Sequence, residues 1–269
     1  MRLPFESTKS SACHDEPSSR MRPLITLLTD FGTADGYVAE IKGVLFSLCP
    51  EVTIVDLSHD IPPHDVELAR LTVARYWRRF PAGAVHLVVV DPGVGTARAA
   101  MAVRSDGRCL VGPDNGVLSP ALLVGDAVVT ALPVSGSASR TFHGRDVFAP
   151  AAAALAMGAA VESLGVLHES PVVRRTPEAV RRDDGAVIGE VIALDRFGNA
   201  ITNLVGARNG VVAASGRPIP VRGTYGDVAT GAPVAVTGSS GLLEIAVRDG
   251  SAAVTLGLAR GATVVWYRG

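Results

Sequence analysis

The stretch VHLVVVDPGVGTAR, residues 85 to 98, combines the clearest strand of the sequence with a turn that carries two charged side chains. Residues 85 to 90 are apolar except for one histidine. A continuous apolar run, rather than an alternating one, is typical of a strand covered on both faces, as in a parallel sheet. Asp91 follows the run directly, and a tight Pro-Gly turn separates it from Arg98. The stretch therefore predicts a buried strand that ends in an aspartate, with an arginine returned toward it.

The first half of the chain alternates between strand-like runs and helical patterns. Further apolar runs are residues 24–28 and 52–55, and apolar residues recur at helical spacing in residues 36–48, 65–79 and 147–158. Strands that alternate with helices form right-handed βαβ units. We therefore predict an N-terminal α/β sandwich domain with a mostly parallel sheet over residues 22 to 170.

The character of the sequence changes after this domain. Residues 171 to 186 are charged and contain prolines, which is typical of a linker. Residues 187 to 269 hold short apolar runs separated by Gly, Pro, Asn or Asp, which predicts a smaller, all-β, barrel-like C-terminal domain. Residues 1 to 20 are polar and lack the apolar core of a secretory signal, so we expect a disordered extension there.

Composition excludes several classes of function. The formal net charge is −1 and no long basic run occurs, so we expect no nucleic-acid partner. No apolar run approaches the roughly 18 to 20 residues that span a bilayer, so we expect no membrane partner. Cys13, Cys49 and Cys109 are scattered and never spaced as CxxC, which favours a cytoplasmic protein without a disulfide framework or zinc site.

Aspartates follow each of the first three predicted strands. They are Asp30, Asp56 and Asp91. In open α/β sheets, ligands bind outside the carboxyl ends of the strands, so three carboxylates at one edge predict a functional site there. The alternative is that each aspartate only caps a turn, and Asp56, which enters a turn-rich loop, fits that alternative best.

Standard nucleotide, hydrolase and metal motifs do not fit the stretch or its surroundings. No Lys-Ser or Lys-Thr follows Gly95, as a P-loop requires, and Arg98 stands where a dinucleotide fingerprint needs its third glycine. There is no GxSxG of a serine hydrolase. A carboxylate-histidine metal site from Asp30, His59, His64, Asp91 and His143 would lack an HxH or HxxxH pair, so we expect no metal.

Two other segments carry side chains suited to ligand binding. In RTFHGRDVFAPAAA, residues 140 to 153, His143 precedes Gly144, where backbone can approach a ligand closely. In LDRFGNAITNL, residues 194 to 204, Phe197 lies two residues before Asn199, and an aromatic face beside an amide is typical of a purine pocket. The PDNG tetrapeptide predicts a turn, either in a hairpin or in a functional loop.

These motifs together resemble a known family. LTDFGTADGYVAEIKG, VVVDPGVGTAR, VGPDNGVLSP, TFHGRD and DRFGNAITNL occur in the order found in the S-adenosyl-L-methionine (SAM) hydroxide adenosyltransferases, which are related to fluorinase and chlorinase. The resemblance covers residues 22 to 269. It implies the hydrolysis of SAM to adenosine and L-methionine with no cofactor. It also implies a homotrimer in which each site lies between one subunit's α/β domain and its neighbour's β domain.

The resemblance also implies roles for individual residues. It assigns catalysis to Asp91, Arg98 and His143, the ribose hydroxyls to Asp30, the methionine amine to Asp35 and Asp195, adenine to Phe197 and Asn199, and the methionine carboxylate to Ser239. An arginine that follows this serine in fluorinase is Ser240 here, which puts the carboxylate contact in doubt. The halogenases have tyrosine at the position of Asp91, and fluorinase has serine at that of Gly144.

The chemistry of the implied reaction accords with these residues. The sulfonium departs as a neutral thioether, so the barrier lies in presenting a desolvated water in line with ribose C5′. Arg98 should keep Asp91 ionised, and His143 has the better matched basicity, so we expect His143 or an Asp91–His143 pair to activate the water. Three alternatives remain at this point: a SAM-dependent halogenase, a non-catalytic SAM- or adenosine-binding protein, and a metal-dependent hydrolase.

Overall fold

The computed structural model of the protein describes residues 22–269, so the extension expected at residues 1 to 20 lies outside the described part. The strands are β1 (Leu24–Thr29), β2 (Thr53–Ser58), β3 (Val85–Val89), β4 (Ala100–Ser105), β5 (Arg108–Pro113), β6 (Val128–Leu132), β7 (Val166–Leu167), β8 (Val180–Arg181), β9 (Val187–Leu194), β10 (Ala200–Val205), β11 (Val211–Ala214), β12 (Arg217–Arg222), β13 (Pro233–Thr237), β14 (Leu242–Val247) and β15 (Thr263–Tyr267). The α-helices are α1 (Tyr37–Leu48), α2 (Val66–Tyr76), α3 (Ser119–Leu122), α4 (Ala149–Ala156) and α5 (Ala252–Leu256).

The first sheet has seven strands in the order β2-β1-β3-β5-β4-β6-β7. The neighbours β2, β1, β3 and β5 are parallel. Strand β4 is antiparallel to both β5 and β6, which returns β6 to the direction of the parallel set, and β7 is antiparallel to β6. Five of the seven strands therefore run in one direction, and the prediction of a mostly parallel sheet is confirmed.

Helices cover both faces of this sheet because its strands are apolar on both sides. Leu27 of β1 and Leu87 of β3 pack with α1 and α4 in one core cluster. Leu28 and Val88, the next residues along the same strands, pack with α2 in a second cluster on the opposite face. The continuous apolar runs of the sequence are the signature of this double burial. The α/β sandwich is confirmed.

The second part of the chain is a closed barrel. Its strands follow the order β10-β14-β13-β12-β11-β15-β9, and a further pairing of β9 with β10 closes the ring of seven. Strand β8 adds to the outside of this ring by pairing with β9. The interior holds an apolar cluster that includes Leu204, Ile219 and Val264. The barrel-like all-β architecture is therefore confirmed.

The segment predicted as a linker is held by hydrogen bonds to the first part of the chain. Asp114 accepts from the backbone N–H of Val172 at 2.7 Å and lies 2.9 Å from the ring Nε2 of His168. Arg174 donates through Nε to the carbonyl of Asn115 at 2.9 Å. The division of the chain at residues 170 and 187 stays a prediction, and the segment between them includes β8.

Three helices begin and end near their predicted bounds. Helix α1 occupies Tyr37–Leu48, α2 ends at Tyr76 before a 3-10 turn at Trp77–Arg79, and α4 is preceded by a π-helical turn at Gly144–Phe148. No helix among residues 22–269 is long and apolar enough to cross a membrane.

Asp56 does not follow its strand, contrary to the expectation. Strand β2 continues to Ser58, so Asp56 lies within it and pairs with Lys42 at 2.5 Å. Since β2 is the edge strand of the sheet, it is half-exposed and tolerates a charged side chain inside the strand. Asp56 therefore belongs to an edge ion pair rather than to the functional edge.

Candidate active site

The turn after β3 brings Arg98 back onto Asp91. Thr96 closes this turn, because its hydroxyl donates to the carbonyl of Gly93 at 2.7 Å and accepts from the backbone N–H of Arg98 at 3.3 Å. Nε of Arg98 then donates to Oδ1 of Asp91 at 2.9 Å, and Nη2 donates to Oδ2. A two-pronged pair of this kind fixes the carboxylate in both position and orientation. The side chains are only 9% and 5% exposed, so water screens the pair little.

His143 joins this pair through the same guanidinium. Nη2 of Arg98 lies 2.9 Å from Nδ1 of His143, a side chain that is also buried. An arginine can only donate, so Nδ1 accepts and the ring proton is on Nε2. Burial, and after it the charge of Arg98, lowers the pKa of His143. His143 is therefore neutral at neutral pH and presents an N–H donor on its other side.

Glycine allows the segments that carry these three residues to meet. Gly95 has φ of +75°, and a Cβ there would lie 2.4 Å from the carbonyl oxygen of Arg140. Any side chain would therefore strain the backbone and also separate the turn from the segment that leads to His143. On the other side, Nδ2 of Asn115 donates to the carbonyl of Val90 at 2.9 Å. The PDNG tetrapeptide thus supports the end of β3 and does not form a hairpin.

The sheet-edge cavity, of about 320 Å³, lies at the carboxyl end of these strands. Its lining includes Asp30, Asp91 and His143, so the structure brings together these three residues that the sequence singled out. Asp30 accepts from the backbone N–H of His64 at 2.8 Å. Arg98 does not line the cavity. It bonds to Asp91 and His143, which do.

Aromatic rings form one wall of the sheet-edge cavity. Phe31, Tyr37 and Phe142 are in mutual contact, with ring centroids 5.4 to 6.0 Å apart. Their edge-on packing makes an apolar wall beside the carboxylates, which excludes water from part of the cavity. The contact between these rings could not be predicted from the sequence, because Phe142 lies more than 100 residues after Phe31 and Tyr37.

A second cavity, the barrel cavity, occupies about 760 Å³ against the C-terminal part. Its lining includes four of the predicted residues, Asp195, Phe197, Asn199 and Ser239. It also includes Tyr225 and Glu244, which were not predicted from the sequence. Within one chain, the structure therefore divides the predicted residues between two cavities.

Asp195 shapes the loop that carries the predicted adenine contacts. Its Oδ1 accepts from the backbone N–H groups of Phe197 and Asn199, both at 2.9 Å, and its Oδ2 accepts from Nδ2 of Asn199 at 2.9 Å. These bonds turn the Phe197 ring outward, where it is 75% exposed. The ring therefore lines the barrel cavity with most of its surface in solvent.

Asp35 and the two charged residues that follow Gly144 lie outside both cavities. Asp35 is exposed and lines neither cavity. Arg145 and Asp146, which follow His143, pair with each other, and Arg145 also reaches Glu40 of α1 at 2.8 Å. These two charged residues attach the His143 loop to α1. They do not line the sheet-edge cavity.

The described residues offer no ready metal site. Between residues 22 and 269, no group of three or more His, Cys, Asp or Glu side chains could hold a metal ion. His59, one of the histidines considered for such a site, is buried and bonds through Nδ1 to the hydroxyl of Thr29 at 2.9 Å. That the protein works without a metal stays a prediction.

A mostly parallel α/β sheet that carries an Asp-Arg-His cluster at one edge, followed by a closed barrel, defines the class of two-part proteins to which this chain belongs. Models of the SAM hydroxide adenosyltransferase N-terminal and C-terminal domains match residues 25–165 and 189–265. The chain therefore belongs to the SAM hydroxide adenosyltransferase family.

Individual relatives agree with this assignment. A protein of Thermus thermophilus named (R)-S-adenosyl-L-methionine hydrolase is 46% identical over 258 residues, covering 91% of this chain and 99% of that protein. A fluorinase of Actinopolyspora mzabensis is 30% identical, covering 91% and 97%. The crystal structure of an uncharacterized conserved protein from Thermotoga maritima matches with a TM-score of 0.83 and 35% identity, covering 91% of this chain and 100% of that one.

Proposed function

We propose that the protein is an enzyme that hydrolyses SAM to adenosine and L-methionine. The observation that carries this proposal is the Asp91–Arg98–His143 cluster, two members of which line one cavity together with Asp30. Membership of the SAM hydroxide adenosyltransferase family supports it, as does the name of the Thermus relative. In this proposal Asp30 holds the ribose hydroxyls, so that C5′ faces Asp91 and His143, which line the same cavity.

In this proposal, Asp91 and His143 hold the attacking water from two sides. The Nε2–H of His143 donates to a lone pair of the water, and the carboxylate of Asp91 accepts one of its protons. This assignment revises the expectation that His143 takes the proton, because the bond from Arg98 occupies Nδ1 and Nε2 already carries hydrogen. Arg98 fixes both partners and does not touch the water.

The bond changes then balance without any further reactant. The water oxygen forms a bond to C5′ as the bond from C5′ to sulfur breaks, and that electron pair stays on sulfur, which leaves as the neutral thioether of methionine. The attacking oxygen becomes acidic as the bond forms, so a carboxylate suffices to take its proton. No general acid is needed for departure, and the aromatic wall keeps bulk water from the reacting atoms.

The halogenase alternative fits less well at two positions. A halide in place of the water would face the negative charge of Asp91. The halogenases have a neutral tyrosine at the matching position. A Cβ at residue 144 would lie 3.2 Å from both Ile41 and Val89, so the serine of fluorinase would need its neighbours to shift. A non-catalytic binding protein would have no use for the buried Arg98 cluster.

We further propose a homotrimer, located in the cytoplasm, in which the sheet-edge cavity of one subunit faces the barrel cavity of its neighbour. The separation of the two cavities and the exposure of Phe197 support this arrangement. Cys49 and Cys109 are free thiols, which accords with a reducing compartment.

A single incubation separates these functions. The protein is treated with chelator and incubated with each sulfonium epimer of SAM, with and without chloride, and the products are resolved by chromatography. Adenosine and methionine in equal amounts are the expected result. A chlorinated nucleoside would indicate a halogenase, loss of turnover on chelation a metal-dependent hydrolase, and absence of turnover with retained binding a non-catalytic protein.

A further inference from the structure

Glu244 is a buried charge in the middle of an apolar strand. It lies in β14, whose sequence is LLEIAV, and is only 9% exposed. Its partners across the two neighbouring strands are Ile201 of β10 and Val236 of β13, so neither strand offers it a cation. Across residues 22–269, no Lys, Arg or His nitrogen comes within 4.0 Å of its carboxylate. A buried carboxylate without a cation is unfavourable unless a ligand supplies one.

The surroundings hold this carboxylate at the barrel cavity. The hydroxyl of Tyr225 donates to Oε2 of Glu244 at 2.7 Å, and burial together with this contact raises the pKa of Tyr225 to about 12, which keeps the hydroxyl a donor. Gly238 leaves room for the other oxygen, because a Cβ at 238 would lie 1.8 Å from Oε1. Oε1 receives no hydrogen bond from the residues that the structure describes.

The other charged groups that line the barrel cavity have partners or lie in solvent, and Arg75, the cation that α2 contributes to the lining, is exposed and more than 4.0 Å from the carboxylate of Glu244. Both oxygens of Asp195 accept bonds from its own loop. Asp249 is exposed and accepts from Thr230 at 2.8 Å, while Arg248 donates to the carbonyl of Val228 at 2.7 Å. Glu244 is thus the carboxylate of this lining that is buried and has one oxygen left for a ligand.

We propose that Glu244 binds the α-ammonium group of the methionine part of the substrate. The inference rests on the proposed function, since SAM carries two cationic groups and the reaction requires its sulfonium to lie beside Asp91 and His143. The ammonium is then the cation that remains for the barrel cavity. A carboxylate prefers this full charge to the neutral amine of adenine. Asp195, which the family resemblance assigns to the ammonium, lines the same cavity, and its role stays a prediction.

The test compares two ligands that the enzyme cannot turn over. S-adenosyl-L-homocysteine keeps the ammonium but has a neutral thioether, and adenosine lacks the amino acid altogether. Dissociation constants are measured by calorimetry for the full chain and its Glu244→Gln variant. We expect the variant to bind the thioether analogue about tenfold or more weakly and adenosine within about twofold of the original chain.

Two further variants set the scale of the effect. Tyr225→Phe removes the orienting hydroxyl but keeps the charge, so it should weaken the thioether analogue less than Glu244→Gln does. Glu51→Gln removes an exposed carboxylate far from the barrel and should leave both constants unchanged. Retained adenosine binding also shows that Glu244→Gln is folded.

Each other outcome overturns the inference. Equal weakening of both ligands would place Glu244 on the nucleoside, and unchanged constants for both would leave it without a ligand. Failure of the proposed function is a separate result. If the original chain binds both ligands but releases no adenosine from SAM, the proposed hydrolysis is wrong while the ratio of constants still decides the role of Glu244.

Discussion

The sheet-edge cavity and the barrel cavity differ in how their polar groups are satisfied. At the sheet edge, Asp91, Arg98 and His143 bond to one another and are fixed before any ligand arrives. In the barrel cavity, Phe197 is exposed and Glu244 is buried without a cation. The first arrangement is preorganised for chemistry, and the second is completed by what binds to it. If the proposed function is correct, the reacting groups come from the first part of the chain and most of the remaining contacts to the substrate from the barrel.

The largest effect should follow from a change at the sheet edge. Asp91→Asn keeps the shape of the side chain but removes the acceptor for the proton. We expect kcat for SAM to fall about 100- to 10,000-fold, with adenosine binding changed little. Asp183→Asn, at an exposed site outside both cavities, serves as the control. A loss of adenosine binding as large as the loss of turnover would remove the distinction between the two cavities.

His143 should show which role its ring plays. If Nε2 donates to the water, His143→Gln keeps an N–H near that position and should retain more activity than His143→Ala, which we expect to lose about 100-fold or more. Because protonation of Nδ1 would remove the acceptor for Arg98 and release the ring, kcat should fall as the pH drops through the lowered pKa of His143. A pH profile in which activity rises as the ring becomes protonated would contradict the need for the contact between Arg98 and Nδ1.

Stability at low pH should also separate the two parts of the chain. Among residues 187–269 there is no histidine, whereas His86 is fully buried in the first sheet, and burial lowers its pKa to about 4 from 6.5. Between these values the unfolded chain is protonated and the folded chain is not, so folding stability falls as pH drops from 6.5 to 4. The loss should be on the order of 3 kcal/mol.

The two tryptophans allow this loss to be assigned. Trp77 lies in the α/β part and Trp266 in the barrel, so Trp266→Phe and Trp77→Phe each leave one fluorescent reporter. Urea unfolding of both variants is followed from pH 7 to pH 4. The Trp77 signal should shift to lower urea with falling pH more than the Trp266 signal, and His86→Gln should reduce that shift. Equal shifts with and without His86 would exclude this histidine as the cause.

A change in the barrel cavity should affect binding more than chemistry. Removing the ring in Phe197→Ala should weaken adenosine binding about tenfold or more, the effect of losing one stacked base, and leave kcat at saturating SAM nearly unchanged. Val254→Ala removes another exposed apolar side chain and provides the control. If Phe197→Ala instead lowers kcat with binding intact, the barrel contributes to the chemical step.

The smallest signal tests whether the two cavities meet between subunits. Asp91→Asn and the double variant Phe197→Ala/Asn199→Ala are unfolded together, refolded as an equal mixture, and assayed at low SAM. If each site combines two copies, about a quarter of the sites regain both intact halves. No recovery in the mixture, with both variants folded, would place the whole site within one chain.

Much of the fold and of the sheet edge could be predicted because those features depend on neighbours in sequence. Asp91 and Arg98 are only seven residues apart in the chain, and the strand before them is apolar except for His86. The closure of the barrel by β9 and β10 could not be read from local runs, since pairing is decided by the whole ring. The prediction that strand β2 ends before Asp56 was wrong, because an edge strand tolerates a charged residue within it.

Glu244 escaped prediction for a related physical reason. A strand-like run such as LLEIAV is typical of a half-exposed strand with one outward charge, and only the closed barrel shows that this side chain is buried. The hydrogen on Nε2 of His143 also depends on a contact between residues 45 positions apart. The sequence alone gives no direct sign of either.

Gly95 couples the effects of mutations in two segments that are distant in sequence, the turn before Arg98 and the loop before His143. With no room for a Cβ against the carbonyl of Arg140, the turn that carries Arg98 and the loop that carries His143 share one boundary. Substitutions in residues 139 to 142 that displace this carbonyl should therefore shift the turn and change the position of Asp91, although the substituted residues contact no reacting group. In a deep mutational scan, these loop positions should tolerate substitution as poorly as Asp91, Arg98 and His143. No second substitution at residue 95 should restore the activity that is lost.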